Sequence, residues 1–135
     1  IKAIKWFYRA AKQNNPAAQH NLGLMCENGN GTQRNIPEAI RWYTKAAKQK
    51  HAPAQTNLGL IYLNGQGTEK DPKKAIYWLL LAAELENPAA QHALGAIHES
   101  GDGVKIDLEE AVSWYRKAAN QGHENAKAAL IELTK

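Results

Sequence analysis

The sequence predicts an all-α solenoid of 36-residue helix–turn–helix repeats, and three observations predict it. All the tryptophans, Trp6, Trp42, Trp78 and Trp114, stand 36 residues apart. The alanine pairs Ala10-Ala11, Ala46-Ala47, Ala82-Ala83 and Ala118-Ala119 keep that step, as do Ala3, Ala39, Ala75 and Ala111. So do Leu22, Leu58, Leu94 and Leu130, with the glycine pairs Gly29/Gly31, Gly65/Gly67 and Gly101/Gly103 in register. A period of about 20–50 residues marks units that bury their apolar faces only by stacking on one another.

Each unit contains two helices. Helix A runs over residues 17–28 in the first unit, with Ala18, Leu22 and Met25/Cys26 on one stripe at helical spacing. It closes at Asn28-Gly29, and its equivalents at Asn64-Gly65 and Ser100-Gly101, where glycine takes the left-handed conformation. Helix B opens at Asn35, Asp71 or Asp107, each a good N-cap. Glu38 and Glu110, three residues past Asn35 and Asp107, complete capping-box patterns. Pro72 sits at a first helical position, where its missing N–H costs nothing. Helix B buries Ala39, Trp42, Tyr43, Ala46 and Ala47 and ends near Gln49. Pro16, Pro53 and Pro88 punctuate the loops to the next helix A. Gly23 lets neighbouring backbones approach, while Trp42 and Leu22 fill the space between units. Replacing a repeat tryptophan, Trp78 included, by alanine is expected to cost about 3–5 kcal/mol.

The array divides into a helix B remnant (1–13), repeats at 17–50, 53–86 and 89–122, and a final helix A (125–135). Trp6 lacks a preceding helix A and Leu130-Ile131 a following helix B. The chain has neither an initiator methionine nor a signal peptide at Ile1. It therefore reads as a slice of a longer array, or as a piece that covers its ends by self-association.

Composition narrows the function. The longest apolar run, residues 75–83, falls short of the roughly 20 residues a membrane helix needs, which speaks against membrane insertion. Cys26 is the only cysteine, so no internal disulfide forms, and cytosol and periplasm are equally compatible. The net charge of +4 hides a gradient: residues 1–52 carry nine Lys/Arg against two acids, residues 53–135 eight against eleven. A continuous basic stripe for nucleic acid is therefore not expected.

The pattern Ala54…Leu58-Gly59…Tyr62…Gly65-x-Gly67…Asp71…Ala75…Trp78…Ala82-Ala83 resembles the Sel1-like repeat, a subclass of the tetratricopeptide-like α-solenoids. The resemblance covers essentially the whole chain. It implies a right-handed superhelix with helix A lining the concave face. It also implies adaptor roles in bacterial host interaction, secretion-linked complexes and signalling, and no intrinsic catalysis. The chain departs from the pattern at Cys26 and His98, which replace the tyrosine seen at Tyr62. Ile131 replaces the final glycine, and Leu79 stands where Phe7, Tyr43 and Tyr115 stand.

No residue pattern points to an enzyme or a cofactor. The Gly-x-Gly turns follow helices and lack the third glycine of a dinucleotide fingerprint. His20 and His92 lie two units apart, about 20 Å at one helix-packing distance per unit, too far to share a metal. His51 and His123 read as loop residues between units. Cys26 stands where tyrosine stands elsewhere, so it reads as packing, and Ser100 and Ser113 have no converging base.

Two surfaces are candidates for a protein or extended-peptide partner. By similarity to tetratricopeptide arrays, helix A positions face a concave groove holding His20, Asn21, Leu24, Thr56, Asn57, Leu60, Leu63 and His92. Asn21 and Asn57 would offer donors and acceptors to a peptide backbone, and Leu24, Leu60 and Leu63 an apolar floor. Four A helices span roughly 30 Å, enough for about nine extended residues. The second surface lies on the middle helix B. There Tyr77 and Leu81 replace the polar Arg41/Ser113 and Lys45/Lys117 of the flanking units, beside Leu80 and Leu85, as an alternative site for self-association.

Overall fold

The computed structural model describes residues 2–29 and 33–135, with side chains from Lys5 onward. Gly31 and the side chain of Ala3, both part of the repeat pattern, lie outside the described residues. Among the described residues eight helices follow in order: α1 (Lys2–Lys12), α2 (Pro16–Asn28), α3 (Ile36–Ala47), α4 (Ala52–Asn64), α5 (Pro72–Glu84), α6 (Pro88–Ser100), α7 (Leu108–Asn120) and α8 (Glu124–Leu133). Each packs mainly on its neighbours in sequence, and α4 also touches α6, as an α-solenoid requires.

Local chemistry sets the ends of these helices. Asn35, Asp71 and Asp107 accept from the backbone N–H of Glu38, Lys74 and Glu110 at 3.1–3.2 Å. The capping boxes expected at Asn35 and Asp107 are only half formed. The cap's own N–H, which a glutamate side chain would have to receive, is bound to the preceding helix: Asn35 to Cys26 O at 2.7 Å and Asp107 to His98 O at 2.9 Å. Asp71 makes the same bond to Tyr62 O at 2.8 Å, so this backbone bond, not a side chain, ties helix A to helix B. Gly65 closes α4 at φ 66° and donates to Ile61 O at 2.9 Å.

The B-to-A turns also pass through the left-handed region, at Asn14 (φ 69°), Lys50 (φ 63°), Glu86 (φ 66°) and Gly122 (φ 88°). The following N–H groups, of Asn15, His51, Asn87 and His123, return to Ala10, Ala46, Ala82 and Ala118 O. A buried glutamine then reaches back across each of the first three turns. Gln19 Nε2 donates to Ala11 O at 3.1 Å, Gln55 to Ala47 O at 3.0 Å, and Gln91 to Ala83 O at 3.2 Å. Each of these carbonyls also accepts a backbone N–H of its own turn, from Asn14, Lys50 or Glu86, so the glutamine adds a second bond that joins it to the next unit.

The core runs along a stripe of α3 (Ala39, Tyr43, Ala46), α5 (Ala75, Leu79, Ala82) and α7 (Ala111, Tyr115, Ala118), all buried. Gly23 and Gly95 seat the tyrosine rings: a Cβ there would lie 2.5 Å and 2.6 Å from ring atoms of Tyr43 and Tyr115. The glycine thus admits a side chain and not, as the sequence suggests, a neighbouring backbone. The tryptophans are likewise not uniformly core. Trp42 is 4% exposed, because Tyr8 of α1 packs edge-on against it at 5.8 Å, but Trp6 is 64% exposed. Trp78 and Trp114 are half-buried on the rim, Trp78 against Tyr77 and Trp114 beneath Lys117 Nζ at 4.6 Å. In the three full units the residue after the tryptophan, Tyr43, Leu79 or Tyr115, occupies the centre.

Leu79→Ala should accordingly cost about 2–5 kcal/mol in urea unfolding, and Trp114→Ala clearly less. The reverse order would return the tryptophan to the core.

Candidate functional site

The A helices α2, α4 and α6 carry the first predicted surface. His20, Asn21, Leu24, Asn57, Leu60, Leu63 and His92 are all half-buried, as side chains on a shared helical face should be. Asn57 Nδ2 lies 3.0 Å from His20 Nε2 and joins α2 to α4. An amide nitrogen only donates, so His20 Nε2 accepts and the ring is neutral. Leu24 packs on the first core cluster, and Leu60 and Leu63 on the second. Thr56 departs from the expectation. It is buried, and its hydroxyl donates back to Ala52 O at 3.0 Å, the local bond that a helical threonine readily makes. It therefore offers nothing to a partner.

The histidines do not stand alone. His20 lies 5.2 Å from His51 and 5.7 Å from Tyr43, ring centre to ring centre, and Tyr43 Oη donates to Glu27 Oε1 at 2.7 Å. The third unit repeats the arrangement. His92 stacks on His123 at 4.8 Å, lies 5.5 Å from Tyr115, and Tyr115 Oη donates to Glu99 Oε1 at 2.7 Å. His123 is more than a loop residue: its Nδ1 caps α8 by accepting from Ala126 N at 3.1 Å. The middle unit has Thr56, Asn87, Leu63 and Leu79 at the matching positions, so it lacks both the histidine pair and the tyrosine–carboxylate bond.

Sequence comparison at the 36-residue step passes over these clusters, because they recur at twice that step. The usable signal is a pair of matched spacings: His20/His51 and His92/His123 are both 31 apart, and Glu27/Tyr43 and Glu99/Tyr115 both 16 apart. Among the described residues, no three His, Cys, Asp or Glu side chains come together as metal ligands. Burial raises the Cys26 thiol above its ordinary range, helped by Glu38, which disfavours the nucleophilic thiolate. Burial and the hydrogen bonds to Glu27 and Glu99 push the hydroxyls of Tyr43 and Tyr115 far above their usual range, leaving both as donors.

On the second surface, Tyr77 is 58% exposed, edge-on to Trp78, and Leu85 is 46% exposed. Leu81 is half-buried and Leu80 packs against the second core cluster, so Leu80 supports the patch from beneath. Hollows lie beside Lys5, Tyr8, Arg9 and Lys12, between Glu27, Asn28, Arg34 and Gln66, and among Lys50, Gln55, Leu81, Glu84 and Leu85. No described helix is long and apolar enough to cross a membrane.

The Sel1 repeat family model matches residues 1–15, 16–51, 52–87 and 88–123. A Sel1 repeat protein of Oxalobacter formigenes is 40% identical over 96% of this chain, with a TM-score of 0.90. A protective antigen of uropathogenic Escherichia coli strains, displaying an SLR fold, is 39% identical over 90% of it, with a TM-score of 0.88. The chain spans 53% and 26% of those two proteins. Cysteine rich protein B of Helicobacter pylori is 25% identical, with a TM-score of 0.73, covering 96% of this chain and 92% of its own. No curated protein sequence matches the chain. Sel1 repeat proteins are typically non-enzymatic scaffolds for protein interactions.

Burial lowers the proton affinity of His20, His51 and His92 below the ordinary value of 6.5. The neighbouring imidazole adds to this at His20 and His92, with Glu99 opposing it at His92. Below pH 6.5 the unfolded chain takes up protons that the folded one resists, so stability is full above that value and falls as the pH drops. Melting temperatures measured between about pH 7.5 and pH 5 should show this decline. Installing the middle unit's residue in both outer units, His20→Thr with His92→Thr, should flatten it; an unchanged slope would assign the decline to other groups.

Proposed function

The chain belongs to the Sel1 repeat family, and on that premise we propose that it is a non-catalytic scaffold binding a protein or extended peptide along α2, α4 and α6. The observation that carries this reading is the half-buried band shared by those helices, from His20 and Asn21 through Asn57 and Leu60 to Leu63 and His92. Such a band combines apolar area with polar groups that can address a peptide backbone, and it needs no deep hollow. Asn21 and Asn57 occupy equivalent places one unit apart, so a partner could meet the same amide chemistry twice. The absence of a convergent nucleophile and base in the clusters described above favours binding over turnover. Affinity capture with the chain as bait, followed by the double variant Asn21→Ala/Asn57→Ala, tests the assignment. Affinity for the captured partner should fall about tenfold or more; undiminished binding would remove this face from consideration.

The exposure of Tyr77 and Leu85 favours a second reading, in which the chain associates through the outer side of α5. Light scattering over a concentration series should then show a larger species that Leu81→Lys disperses without loss of helicity. A concentration-independent monomer would sink this alternative.

A further inference from the structure

In the first and third units a second glutamine completes the buried one. Gln49 Nε2 donates to Gln19 Oε1 at 2.8 Å, and Gln121 Nε2 donates to Gln91 Oε1 at 2.9 Å. In the middle unit the acceptor is present and the donor is not: Leu85 stands where Gln49 and Gln121 stand. Gln55 is 2% exposed, its Nε2 is committed to Ala47 O, and its Oε1 has no partner among the described residues. A buried acceptor without a donor is an unusual thing for a folded protein to keep. This one belongs to a side chain lining a notch of about 200 Å³, together with Lys50, Leu81, Glu84 and Leu85.

We propose that this notch receives a glutamine or asparagine side chain of a partner protein, presented beside an apolar residue. The inference rests on the scaffold reading but not on the α2/α4/α6 face. The chain itself displays the fitting chemistry twice, since a carboxamide NH₂ fills the same position in both flanking units. A carboxylate brings no donor to the oxygen, and an ammonium, though Glu84 would attract it, would still meet Lys50 and the apolar walls of Leu81 and Leu85. A carboxamide is neutral, and Lys50 and Glu84 on the same lining supply a donor for its oxygen and an acceptor for its second N–H. Leu85 is 46% exposed and lies just past the end of α5, so access to Gln55 Oε1 would come from a change of its rotamer, with no helix movement. The flank of Leu81 and the exposed ring of Tyr77 extend the apolar surface one turn and two turns back along α5, where the neighbouring apolar residue would sit.

The test is an NMR titration of the isotope-labelled chain with N-acetyl-glutamine methylamide, using the methionine analogue as a probe of similar length without the side-chain donor. Saturable shifts should appear at the Gln55 side-chain amide and the Leu85 methyls, at least about fivefold weaker with the methionine probe. Leu85→Gln supplies the donor internally, so it should raise Tm by about 3–5 °C and weaken the glutamine probe about tenfold. Asn21→Ala/Asn57→Ala should leave the titration unchanged, which separates failure of the groove from failure of the notch. Equal response to both probes, no saturable response, or binding that survives Leu85→Gln would each overturn the proposal. So would a dimer of the unliganded chain that Leu85→Gln disperses, because the occupant would then be a second copy.

Discussion

The arrangement of the units depends on one bond made at successive joints, from a buried glutamine amide back to the last turn of the preceding helix B. In a solenoid each unit touches little beyond its neighbours, so an angular error at one joint is carried along the whole array. Apolar contact alone tolerates such errors because it has no direction. The bonds from Gln19 to Ala11 O, Gln55 to Ala47 O and Gln91 to Ala83 O are directional and buried, and breaking one would leave a buried amide N–H without that acceptor. The left-handed residue in each turn aims the chain so that the glutamine can reach. At the last joint Lys127 occupies the glutamine position, and what remains is the N-cap bond of His123, the counterpart of those made by Asn15 and Asn87.

The fold was legible because its markers answer to backbone demands that few residues meet. Asn35, Asp71 and Asp107 at helix starts, Pro72 at a first position and Gly65 at a helix end each announce themselves without any knowledge of tertiary contacts. Burial was less legible. The tryptophans repeat without change and read as core, yet Trp78 and Trp114 sit on the rim. The residue after each tryptophan varies, as Phe7, Tyr43, Leu79 and Tyr115, and in the three full units it is buried, whereas of the tryptophans only Trp42 is. Identity across units reports a shared environment, and a rim can be as constant as a centre. The variation at the centre has its own logic, since Tyr43 and Tyr115 come with Glu27 and Glu99 whereas Leu79 comes with Leu63. A hydroxyl placed in the core requires an acceptor, and removing it removes that requirement.

The candidate site was legible only in part, for a related reason. Whether a half-buried side chain is free for a partner depends on residues one unit away. Thr56 reads as a groove residue by position, but its hydroxyl is spent within its own helix. Asn57 keeps its place on the face but shares it with His20. The outer units resemble each other more than either resembles the middle one. Comparison in steps of 36 residues therefore averages over two kinds of unit.

That alternation bears on where a partner can gain binding energy. In the outer units the polar groups near the surface are already paired: Tyr43 with Glu27, Gln49 with Gln19, Tyr115 with Glu99, Gln121 with Gln91. A ligand addressing them has to replace bonds that exist, so its net gain is small. The middle unit lacks these pairs. It combines an acceptor without a donor at Gln55 with uncovered apolar area at Tyr77 and Leu85. A partner contacting several units thus displaces least and gains most at the centre of the array, with the outer units holding the frame in which that centre is presented.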